Sequence, residues 1–75
     1  MSKRSSYYDV IARQLKKLGR TDIDPRHIEA YMKIQYRTLD HFSDDDFFNE
    51  TKICMVCVLI EGNEKAELLA QSMGI

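Results

Sequence analysis

Helix punctuation constrains this chain more than any other feature. Four stretches with apolar side chains at helical spacing each open on a residue suited to N-capping: Ser6, Asp24, Ser43 and Asn63. The three glycines, Gly19, Gly62 and Gly74, fall at the boundaries of those stretches. A Ser, Asp or Asn side chain accepts a hydrogen bond from an orphan N–H of the first turn, and glycine takes the left-handed position that closes a helix. No segment alternates apolar and polar residues with the period of a half-buried strand. The fold expected is therefore all-α: a compact four-helix domain spanning 1–75, with helices over about 6–18, 24–39, 43–61 and 63–73 and a flexible tail over 1–5.

The first helix opens with Ser6 and Asp9 as a capping box and stops at Gly19. Its buried face is Tyr7, Ile11, Leu15 and Leu18. The second has Asp24 as cap, Pro25 in the first helical position and Ile23 with Ile28 as a hydrophobic staple. Ile28, Met32 and Leu39 form its stripe, flanked by Tyr31 and Tyr36, which places its end near Leu39 or Asp40. In the third, Ser43 caps, Asp44–Asp46 complement the helix dipole and Phe42 staples to Phe47. The fourth is capped by Asn63, buries Ala66, Leu69, Ala70 and Met73, and ends at Gly74-Ile75.

The stretch Ile53–Ile60 is the longest uninterrupted apolar run. As part of the third helix it is apolar on every side, and such a helix must be surrounded. Either it occupies the centre of the domain or it forms a shared dimer interface through Met55, Val56, Leu59 and Ile60. Small domains gain burial by oligomerising, so both outcomes follow from the same run.

Several function classes find no support. Seventy-five residues leave little room for a cavity that encloses a substrate. The apolar run is too short to span a bilayer, and the basic start Met1–Ser6 has no apolar segment behind it, so a cytoplasmic location is expected. Cys54 and Cys57 with His27 and His41 match the ligand count of a zinc site. The order His…His…Cys…Cys is not that of a finger, and both cysteines lie inside the apolar run, where they read as small buried hydrophobes. A redox pair needs its first thiol at a helix N-terminus, and these are mid-helix. Asp44–Asp46 with Glu50 lack the alternating ligands and central glycine of a calcium loop. With no nucleophile set beside a histidine and no glycine-rich phosphate loop, no enzymatic activity, metal or cofactor is expected.

Charge supplies the positive reading. Residues 1–40 hold nine Lys/Arg against five Asp/Glu, and residues 41–75 hold two against seven. Capping accounts for much of the acidic half. On the basic half, Arg13, Lys16 and Lys17 lie opposite the apolar face of the first helix, with Arg20 just beyond its end. Arg26, Lys33 and Arg37 lie opposite that of the second. Merged by a helical hairpin, and with Tyr36 beside them, these residues predict a contact surface for a protein partner. Nucleic acid is the alternative for the same residues. The net charge of −1 and the long Gly19–Asp24 link weigh against a DNA-binding helix-turn-helix.

The block Asp24-Pro25-Arg26-His27-Ile28-Glu29-Ala30-Tyr31-Met32, followed by Thr38-Leu39-Asp40-His41 and by Phe47 and Glu50, resembles a set of short helical proteins encoded by bacteria and their phages or prophages. The likeness runs from about Asp24 to the closing Leu68–Gly74 and does not extend to the first helix. No activity is known for that set. The resemblance implies a setting, in which a small regulator would bind a host protein, and no mechanism.

Overall fold

The computed structural model describes residues 7–75, and its elements are four helices: α1 (Tyr7–Lys17), α2 (Pro25–Gln35), α3 (Asp44–Glu61) and α4 (Asn63–Ser72). No strand occurs among the described residues. The expected cap Ser6 and the tail 1–5 lie outside them.

Most boundaries follow from the capping chemistry. The Asp24 side chain accepts from the Arg26 N–H at 2.9 Å, and Ser43 Oγ accepts from the Asp46 N–H at 3.1 Å. Gly19 has φ +72°, and the Arg20 N–H reaches back to the Leu15 carbonyl at 2.9 Å, closing α1 in a Schellman motif. Gly74 does the same for α4, with the Ile75 N–H on the Ala70 carbonyl at 2.9 Å. Ile23 and Ile28 are both buried, as a staple requires. The Phe42 ring meets Phe47 edge-on with centroids 6.4 Å apart.

Two boundaries differ from expectation. α2 stops at Gln35, four residues short of Leu39, because Tyr36 is extended (φ −130°, ψ 136°). Tertiary packing decides this break. Leaving the helix lets Tyr36 meet Phe42 edge-on at 4.9 Å, while Leu39 is still fully buried and Tyr7 Oη donates to Asp40. The fourth start shifts by one residue. Gly62, with φ +97°, is the cap, and Asn63 is the first helical residue, so its side chain makes no capping bond.

α2 is the hub. It packs against α1, α3 and α4, whereas α1 and α4 do not touch. The core joins Ile11 and Leu15 of α1, Ile28 and Met32 of α2, Phe47, Cys54 and Val58 of α3, and Ala66 of α4, with Ile23 and Leu39 from the links. Met73, expected inside, is exposed at the end of α4.

α3 is not central. Phe47, Thr51, Cys54 and Val58 are buried along one narrow face. Ile53, Val56 and Leu59 are about half exposed on the opposite side, and Ile60 is 78% exposed. With these side chains exposed, no other element among the described residues covers that side. No helix among the described residues is long and apolar enough to cross a membrane.

Candidate functional site

A groove of about 580 Å³ lies between α1 and the first turns of α3. Val10, Arg13, Gln14 and Lys17 line one wall, and Asp44, Asp45 and Phe48 line the other. The spacing i, i+3, i+4, i+7 places the four α1 residues on one helix face. The Ser43 cap fixes the opposing turn. Gln14 is held in place by Thr51, whose Oγ1 lies 2.5 Å from the Gln14 side-chain oxygen position and 3.0 Å from the Phe47 carbonyl. A hydroxyl carries one proton, so donation to the Phe47 carbonyl requires Gln14 to present its amide nitrogen to Oγ1.

Charge in the groove is divided by wall. Arg13 and Lys17 are exposed and form no ion pair among the described residues. Asp44 and Asp45 stand on the α3 wall opposite them, with Val10 and Phe48 supplying one apolar side chain to each wall. At the α3 side Lys52 Nζ sits over the Phe48 ring, 5.1 Å from its centroid. The groove thus offers two cations, two carboxylates and two apolar side chains.

The remaining residues of the expected basic surface go elsewhere. Lys16 lies on the other flank of α1, lining a shallow depression with Ala12, Leu15, Arg20 and Pro25. Lys33 pairs with Glu29 at 3.0 Å and stands 5.6 Å from the Tyr7 ring centroid, at the opposite end of the α1–α2 hairpin from Lys16 and Pro25. Arg37 is exposed in the link after α2. The two stripes therefore do not merge into one surface. Tyr36 is half-buried against Phe42, and the Glu50 carboxylate beside its hydroxyl raises its pKa.

Arg26 is the clearest correction. Its guanidinium does not point outward unpaired. It donates to Asp24 at 2.9 Å and to Glu67 Oε2 at 2.7 Å, bridging α2 to α4. His27 Nε2 lies 2.8 Å from the other Glu67 oxygen, and Gln71 Nε2 donates to Glu67 Oε2 at 3.1 Å. These donors, Arg26 first and then His27 and Gln71, hold the Glu67 carboxyl at about 2. His27 is 6% exposed and its Nδ1 has no partner, an arrangement least costly when Nδ1 is the bare nitrogen and Nε2–H donates to Glu67. Sequence reading did not find this cluster. Its one local signal is the i,i+4 pair Glu67–Gln71, and the partners lie forty or more residues apart.

The His/Cys quartet is not assembled. His27 sits with Asp24 and Glu67, the one set of three potential ligands within reach of one another among the described residues. There Arg26 already bridges both carboxylates, so a metal ion would have to displace a guanidinium. Cys54 is fully buried and burial pushes its thiol up to about 12, while Cys57 is half-buried. His41 is exposed beside Phe42, with ring centroids 5.8 Å apart. A thiol so far from ionised at neutral pH is a poor nucleophile and a poor ligand.

The expected dimer residues divide by exposure. Val56, Leu59 and Ile60 are exposed with Ile53, and Met55 is half-buried against the core. No protein-family model matches the chain, and comparison with curated proteins and with solved structures yields no match.

Proposed function

We propose that this chain is a non-enzymatic protein-interaction module whose contact site is the α1–α3 groove. The observation that carries this reading is the groove's mixed chemistry: Arg13 and Lys17 on one wall, Asp44 and Asp45 on the other, and an apolar side chain, Val10 or Phe48, on each. A polypeptide carries both charge signs and apolar side chains on one segment, so it can meet Arg13 and Lys17 and cover Val10 and Phe48 beside the acidic turn. A nucleic-acid backbone cannot, because Asp44 and Asp45 repel the phosphates that Arg13 and Lys17 attract. In the phage or prophage setting that the resemblance implies, the partner is a host protein met in the cytoplasm.

The test is affinity capture from cell extract, with and without nuclease treatment, using the wild-type chain and Arg13→Glu/Lys17→Glu, read by quantitative mass spectrometry. Both positions are exposed, so the variant's helical circular dichroism is expected to match the wild type. Proteins captured by the wild type are expected to be lost from the variant. Equal capture by both, or capture that vanishes when nucleic acid is digested, overturns the reading.

A further inference from the structure

The outward face of α3 is built like one half of a helix pair. Ile53, Val56 and Ile60 follow one another at spacings of three and four, with Asn49 one step earlier, which is the seam pattern of paired helices. At about 100° per residue these three and Leu59 cover roughly 120° of the helix, centred opposite the buried Phe47, Thr51, Cys54 and Val58. No charged residue falls between Ile53 and Ile60, and Lys52 lies within the same arc at its N-terminal end.

We infer that this face joins two copies of the chain in a two-fold, antiparallel homodimer, with Ile53 of each copy against Ile60 of the other and Val56 beside the axis. Self-complementarity argues for a second copy. Read in either direction the stripe presents isoleucine, the smaller Val56 near its midpoint, then isoleucine. A two-fold interface needs such a patch, which meets itself without a mismatch. Charge selects the orientation. A parallel pair would set Asp44, Asp45 and Asp46 of both copies side by side at one end. The antiparallel pair separates the two acidic turns by roughly 35 Å at 1.5 Å per residue, and lays the Lys52 stem along Leu59 of the other copy.

Area sets the strength. Exposures of 52%, 48%, 51% and 78% for Ile53, Val56, Leu59 and Ile60 amount to more than two whole aliphatic side chains per copy. Taking roughly 120 Å² for each whole side chain, the stripe offers about 250–300 Å² of apolar surface. That is a little over half the apolar part of one side of a standard interface, so a weak dimer, forming between micromolar and millimolar concentration, is expected. This interface is separate from the α1–α3 groove, and its test uses the purified chain alone.

Sedimentation equilibrium of the full chain, from micromolar to millimolar, is expected to show its mass doubling. Val56→Glu and Ile60→Glu place charges in the seam and are expected to weaken association more than about 100-fold. Their circular dichroism should not change, because both side chains already face water. Leu68→Glu, on exposed surface of α4, is expected to leave the dimer intact. A wild-type chain that is monomeric through millimolar concentration overturns the inference, as does a dimer indifferent to both α3 variants. For orientation, Ile53→Cys and Ile60→Cys are made in a Cys57→Ser background and oxidised. The antiparallel pair cross-links when the two variants are mixed, and cross-linking of Ile53→Cys with itself refutes that arrangement.

Discussion

Phe47 and Phe48 are adjacent in sequence and opposite in consequence. Phe47 is 0% exposed, its ring 6.1 Å from that of Tyr7 in a stacked arrangement and 6.4 Å from that of Phe42 edge-on. It ties α1, the link before α3 and α3 itself. Phe47→Ala removes this contact and leaves a cavity, a loss of about 3–5 kcal/mol. A domain of this length has only about 4–11 kcal/mol in total, so the variant loses from about a quarter to all of its stability. Phe47→Leu keeps much of the volume and sacrifices the two ring–ring geometries, each about 0.5–1.5 kcal/mol, for an expected loss of about 1–3 kcal/mol. Phe48 is half-buried on the groove wall, and Phe48→Ala should cost well under either. The assay is urea unfolding followed by far-ultraviolet circular dichroism, with midpoints compared at constant slope. Equal midpoint shifts for Phe47→Leu and Phe48→Ala would refute this account of the core.

Two further outcomes follow from the titrating groups. Glu67 sits at about 2 in the folded chain against an ordinary 4.5, so its contribution is fully present above about 4.5 and is lost as pH falls toward 2. Urea midpoints at pH 6 and pH 3 should lie closer together for Glu67→Gln than for wild type, and an identical acid loss in both refutes the assignment. Cys54, with its thiol raised to about 12, should resist alkylation in the native protein at pH 8, while half-buried Cys57 reacts first. Peptide mass mapping after timed iodoacetamide treatment reads the order.

How much was legible in the sequence depended on the range of the interaction. Asp24-Pro25, Ser43, Gly19 and Gly74 act within a turn of themselves, so their chemistry can be read from neighbours alone. The end of α2 could not. Nothing at Tyr36 or Arg37 forbids another helical turn, and the break is set by Phe42, Phe47 and Tyr7, which lie elsewhere in the chain. The groove was half legible. Arg13 and Lys17 were identified as outward-facing, but a helical wheel does not tell which neighbouring helix stands on which flank, and this divides them from Lys16. Arg26 looked available for the same reason, since Glu67 is forty-one residues away. The apolar run of α3 offered two outcomes, and the exposure of Ile53, Val56, Leu59 and Ile60 removes the central one.

The hub position of α2 also bears on the order in which the fold can be completed. A chain made from its N-terminus presents α1, α2 and α3 before Glu67 exists. Until α4 arrives, Arg26 can lean only on Asp24, His27 has no acceptor for its Nε2–H, and the Ala66 and Ala70 contacts are missing. The contacts that seal the molecule are therefore among those most distant in sequence, the kind that slow folding because loop closure precedes their reward. A nascent or prematurely terminated chain would carry an open side on its central helix, and quality-control proteases would meet that side before any partner did.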